Sequence, residues 1–250
     1  MDLPGWMVLV VAPVIGSWLG VLVRRWPRGR KLALARSCCD HCGHVLAPAD
    51  LVPLLSFAML RGKCRYCGTR IDPFHPAIEL AAASISLAAF IADADAVQLW
   101  INASLGWALL CAAWIDYETF VLPDLITLPL ILAGLGVTWA QQPAALFNHT
   151  AAAALGYSGF RLLDLAYLTL RHRHGLGQGD AKLLAAAGAW MGLLVLPYIM
   201  ATAGLIGIAM ALLAARRDGL RGEQRVAFGP ALALAFFLWR LFGRYFSGLT

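Results

Sequence analysis

Apolar residues in this chain come in long unbroken blocks rather than in the strict alternation of a half-buried strand. Eight such blocks stand at residues 6–23, 77–92, 97–115, 124–140, 150–170, 181–192, from Pro197 up to Arg216, and 231–246. Crossing a hydrocarbon core of about 30 Å takes roughly 20 apolar residues in a helix. The pattern therefore predicts an all-α polytopic membrane protein with about eight transmembrane helices. Pro123, Pro197 and Gly229-Pro230 stand at block starts, where such residues are expected. The block at 6–23 has no positive stretch before it and Arg24-Arg25 after it, so it reads as a retained helix and not as a signal peptide.

One region breaks the pattern. Residues 24–75 are polar and hold ten Lys and Arg together with five of the six cysteines. Cys39 and Cys42 form one C-x-x-C pair, Cys64 and Cys67 a second, with 21 residues between them and a glycine after each (Gly43, Gly68). Two such pairs suit a closed, tetrahedral, structural zinc site. Disulfides and a redox pair are the alternatives, and a cytosolic position makes structural disulfides a poor fit. His41 and His44 could substitute as ligands but read better as solvated loop residues; Cys38 and Cys111 read as non-ligands. The expected organisation is a first helix (1–23), a small cytosolic zinc-binding domain inserted between helices 1 and 2 (24–75), and a membrane-embedded domain (76–250).

Composition agrees with the blocks. Of 250 residues 60% are hydrophobic and 14% charged, against about 45–50% and about 25% in soluble domains. The net charge of +6 matters less than its placement. With eight spans and both termini outside, eighteen of the twenty basic residues lie in or beside inner segments, Arg240 and Arg244 being the exceptions. That asymmetry is the signature of membrane topology, not of nucleic-acid binding.

The same topology places two carboxylates at one depth. Asp116 closes the third span on its inner side, and Asp180, in Gly177-Gln178-Gly179-Asp180, opens the sixth. A pair of carboxylates that shares a proton can activate water, as in aspartic proteases. Capping a helix that begins at Ala181 is the competing role for Asp180. Asp124 reads as an ordinary first-turn acid after Pro123. Glu118 points away from Asp116, Arg161 and Asp164 form a helix-surface pair, and Lys182 either tunes Asp180 or snorkels. Glu79, near the inner end of the second span, either binds a partner or faces water.

These motifs together resemble the type IV prepilin peptidases, bifunctional leader peptidases and N-methyltransferases that serve type IV pili and type II secretion. The resemblance covers nearly the whole chain: Gly16-Ser17, Arg36-Ser37, both C-x-x-C pairs, Glu79, Asp116 in Asp-x6-Pro-Asp, the GxGD at 177–180 with Lys182, and Phe228-Gly229-Pro230. It implies that Asp116 and Asp180 are catalytic and that a prepilin or pseudopilin is cut after a Gly at the cytosolic face of the bacterial inner membrane. It also implies methylation of the new amino terminus from S-adenosylmethionine. No Rossmann-like glycine-rich turn is present, so a site for that cofactor would be lined by Glu79 and inner arginines. The family's usual Asn near the end of the first helix is Gly20 here. A non-catalytic scaffold or ion-coupled transporter with a zinc docking module is the other class considered. A relay tolerates carboxylates at several depths, whereas a protease needs two at one boundary.

Overall fold

The computed structural model describes residues 4–29, 36–171, 177–218 and 227–246. The basic residues Arg30, Lys31, Arg173, Arg221 and Arg225, with His172 and His174, fall outside them. The helices are α1 (Met7–Arg25), α2 (Leu55–Met59), α3 (Phe74–Ala92), α4 (Ala96–Thr119), α5 (Asp124–Gln141), α6 (Leu146–Arg171), α7 (Gln178–Met191), α8 (Leu196–Asp218) and α9 (Gly229–Phe246). Among the described residues β pairing is limited to two isolated bridges, Cys38 with Val45 and Lys63 with Arg70. The chain divides into two compact units, Met1–Cys111 and Ala112–Thr250, the division falling within α4.

Among the described residues five helices are long and apolar enough to cross a membrane: Met7–Arg28, Phe74–Ala92, Ala96–Thr119, Asp124–Gln141 and Leu196–Arg216. Their surfaces are greasy. In α1, Val10, Val14 and Trp18 are each more than half exposed, while Ala12, Gly16, Leu19 and Val23 are buried on the other side. That arrangement places apolar side chains toward lipid. The helix continues through Pro13, since proline is tolerated inside membrane helices.

In the first unit α1 packs along α3. A Cβ on Gly16 would lie 2.7 Å from the Glu79 backbone, so only glycine lets the two helices approach this closely. Gly20 is likewise buried, against Ile78 and Phe74. Arg24 donates to Asp72 at 2.6 Å and lies 4.1 Å over the Phe74 ring, which fixes the start of α3.

In the second unit the short α7 is the hub. From Asp180 to Trp190 every residue but Lys182 is buried, because α5, α6 and α9 all pack on it. Its alanines and Gly188 permit this: a Cβ at 188 would meet the Ala152 backbone of α6 at 2.6 Å. At its far end Trp190 donates from Nε1 to the Leu130 carbonyl at 2.8 Å. His149 Nδ1 lies 3.0 Å from both the Thr138 hydroxyl and the Ala189 carbonyl.

Candidate active site

α7 starts earlier than the sequence suggested. Its first residue is Gln178 and its cap is Gly177, whose carbonyl accepts the Asp180 N–H at 3.2 Å. Asp180 is therefore inside the first turn, 8% exposed, and not a cap in front of Ala181. Glycine extends the helix because the space a side chain at 177 would need is occupied by Asp180 itself: a Cβ there would sit 2.7 Å from its Oδ2.

Asp116 is buried near the end of α4, 6% exposed. Its Oδ2 accepts the backbone N–H of Gly229, the first residue of α9, at 3.0 Å. A Cβ at 229 would fall 2.5 Å from that oxygen, so a helix start reaches this carboxylate only as glycine. The Asp116 charge acts on Asp180, so the two carboxylates are electrostatic neighbours. Glu118, two residues on, is exposed on the other side of α4.

The segment between α4 and α5 joins the two acids. Phe120 takes a left-handed conformation (φ +57°), unusual for a residue with a side chain, and its N–H closes α4 on the Asp116 carbonyl at 2.8 Å. The chain then runs without secondary structure to Pro123, which is extended (φ −68°, ψ 135°), and enters α5. Leu122 fills the space a side chain on Gly179 would occupy; a Cβ there would be 2.6 Å from the Leu122 Cβ. Lys182 forms an ion pair with Asp124. It thus neither snorkels freely nor pairs with Asp180, and Asp124 does more than start α5. Asp164, paired with Arg161 at 3.5 Å, is 3% exposed and belongs to the interior, not to the helix surface.

The four cysteines of the two pairs come together. Their sulfurs all lie within 4.8 Å of one another, with Cys39 and Cys67 at 3.9 Å. Sulfurs bound to one zinc at about 2.3 Å in a tetrahedron stand about 3.8 Å apart, so the donor set fits the ion with little adjustment. The two knuckles are built alike: Gly43 (φ +69°) donates to the Cys39 carbonyl and Gly68 (φ +71°) to the Cys64 carbonyl, both at 2.9 Å. Hydrogen bonds from Thr69 hold the Cys67 thiol down at about 6, so one thiolate is ready for a cation near neutral pH. His44 stacks on Tyr66 with ring centroids 3.6 Å apart, and neither it nor His41 joins the cluster.

Sequence reasoning missed Asp50. Its side chain is 4% exposed and accepts from Arg65 Nε at 2.7 Å, Tyr66 Oη at 3.2 Å and the Ala47 N–H at 3.2 Å. Burial works against its charge, but those donors outweigh it and hold the carboxyl below its usual range. It ties the second knuckle to the turn after the first. We expect Cys→Ser at the four positions, or chelation, to lose folded protein in the region 36–72, read as increased proteolysis there and loss of bound metal. A chelated protein as protease-resistant as the untreated one would show the metal to be dispensable.

Glu79 is tied to the loop before α2. It is 8% exposed and its Oε2 accepts the Leu54 N–H at 2.8 Å. Leu54 lies at φ +60° in a γ-turn closed by Leu55 N–H on the Pro53 carbonyl, so Glu79 pins a strained loop.

Helices with greasy exposed faces, two buried aspartates and a tetracysteine cluster define the class: a multi-helix membrane protein. Residues 103–212 match the type IV leader peptidase family, and residues 10–92 the bacterial peptidase A24 N-terminal domain. Similar proteins include the prepilin leader peptidase/N-methyltransferases of Burkholderia pseudomallei strain 1026b (36% identical, 90% of this chain and 81% of that one), Dickeya chrysanthemi (35%; 91% and 89%) and Aeromonas hydrophila (31%; 95% and 90%). The chain belongs to the type IV leader peptidase family. No solved structure matches it.

Proposed function

We propose that this protein is a prepilin leader peptidase of the bacterial inner membrane that cleaves prepilins or pseudopilins through Asp116 and Asp180. The observation that carries the reading is the convergence of α4, α7 and α9 on these two buried acids, in a chain whose relatives bear that activity in their names. Asp116 with one oxygen fixed by Gly229 keeps the other for water. One carboxylate takes a proton as the water attacks the scissile carbonyl. The other, protonated, gives its proton to the substrate as the tetrahedral intermediate collapses, and the pair titrates as a unit. With eight spans, both acids lie at the cytosolic boundary, and the leader is cut after a Gly there.

Methylation of the new amino terminus from S-adenosylmethionine belongs to the same reading, on the relatives' names. No step is assigned to residues of this chain. Zinc, held by Cys39, Cys42, Cys64 and Cys67, would supply a rigid centre for the residues around it and no chemistry of the cleavage.

Incubation of the purified protein with a prepilin in detergent, with and without S-adenosylmethionine, tests both activities. The expected result is a shortened pilin in both reactions and a methylated amino terminus only in the second. An intact pilin after incubation with well-folded protein overturns the peptidase reading.

A further inference from the structure

A peptide bond inside a helix has its amide and carbonyl engaged and its carbonyl carbon screened by side chains. For water to attack, the residues around the cleaved bond must leave the helix. Once extended at a membrane boundary they need new backbone partners, because unsatisfied amides and carbonyls are costly where water is scarce.

The protein offers such partners beside the two acids. Residues 120–123 form the non-helical link from α4, which bears Asp116, to α5. Phe120 is anchored to the Asp116 carbonyl, and Leu122 is seated on Gly179, the residue before Asp180. The far end is held by α5, whose Ile126 and Thr127 amides both bond to the Pro123 carbonyl at 3.0 Å, and by the Lys182–Asp124 pair. Between these anchors the backbone amides and carbonyls of Val121 and Leu122 have no hydrogen-bond partner among the described residues. Phe120 and Val121 direct apolar side chains outward, 52% and 50% exposed. Leu122 itself is buried, so the accessible main-chain groups are those of Val121. A non-helical segment with an open amide and carbonyl is the arrangement to which a peptide adds by main-chain pairing.

We propose that residues 120–123 are the substrate-docking segment, pairing through the N–H and C=O of Val121 with the unwound residues that flank the scissile bond of the leader-bearing substrate. This rests on the reading of Asp116 and Asp180 as the cleaving pair. Main-chain pairing sets the cut bond at a fixed register between the acids, and Phe120 and Val121 cover the apolar side of the bound segment. Lys182 and Asp124 are then positioning residues for this segment, acting on cleavage through it.

A photo-cross-linking experiment reads the segment without needing cleavage. Val121→p-benzoylphenylalanine is made in the Asp116→Asn protein, which is irradiated with a prepilin; Leu132→p-benzoylphenylalanine, on the exposed face of α5, is the control. Adducts from position 121 are expected within about three residues of the cleavage site, the reach of roughly 10 Å along a strand, and at least several-fold above the control. Adducts no stronger than the control, or confined to remote parts of the substrate, overturn the proposal. In the active protein, α-hydroxyvaline at 121 replaces the amide by an ester. This should lower kcat/KM about tenfold, what removing one well-formed hydrogen bond costs, with the melting temperature unchanged. An unaltered kcat/KM rules out the backbone pairing. Continued cleavage by the Asp116→Asn protein would instead refute the acid pair, while the cross-link map would still report on the segment.

Discussion

Asp116→Asn and Asp180→Asn are each expected to lower leader cleavage by at least about a thousandfold, the scale of losing an acid–base group that acts in the transition state. Asparagine keeps the shape of the side chain, and at 116 it can still accept the Gly229 N–H, so the fold around the site should survive. Neither change touches the four cysteines. The measurement is therefore a pair of readings on each purified variant: cleavage of a prepilin, and zinc content with melting temperature. Cleavage lost with the other two preserved is the expected pattern. Retained cleavage by either variant sinks the assignment of that aspartate.

Gly229→Ala is the second large effect, and it separates geometry from stability. An added methyl would stand 2.5 Å from Asp116 Oδ2 and 2.8 Å from its Cγ, so either the carboxylate or the start of α9 must move. Displacements of about 1 Å in a catalytic group can cost around a hundredfold in rate. Alanine is a better helix former than glycine by about 1 kcal/mol in a helix interior and by less at a first position, so the displacement should lower the melting temperature somewhat while leaving the protein folded. Gly136→Ala is the control, since a Cβ there meets nothing within 4 Å. The expected result is cleavage down roughly a hundredfold at 229 and unaltered at 136. Full activity in Gly229→Ala would mean that the bond from Gly229 does not place Asp116.

The helices could be read from the sequence because lipid imposes a simple rule, long apolar stretches with charges between them. The two C-x-x-C pairs were legible for a similar reason: a metal site needs particular atoms at close spacing, and the spacing is local. What could not be read depends on contacts between residues far apart. Asp116 and Gly229 are separated by 113 positions, and nothing in Phe228-Gly229-Pro230 announces that its amide serves an acid on another helix. Nor does the sequence show what the glycines of 177–180 admit: Gly179 makes room for Leu122 and Gly177 for the Asp180 carboxylate, contacts made by the chain itself. Glu79 was visible as an acid near a helix start, but its engagement with the strained Leu54 amide is a tertiary fact. Asp50 was passed over because a single acid in a loop carries no pattern of its own.

The length of α7 bears on how water reaches the site. Fourteen residues make a helix about 21 Å long, against a hydrocarbon core of roughly 30 Å. Because α5, α6 and α9 enclose it, α7 meets protein and not lipid. A helix this short cannot reach both faces of the bilayer, and on the proposed topology the missing length leaves room inside the protein, not a dent in the membrane, for water to approach Asp180. Cleavage in proteoliposomes should then depend little on acyl-chain length; a steep dependence would place lipid against α7.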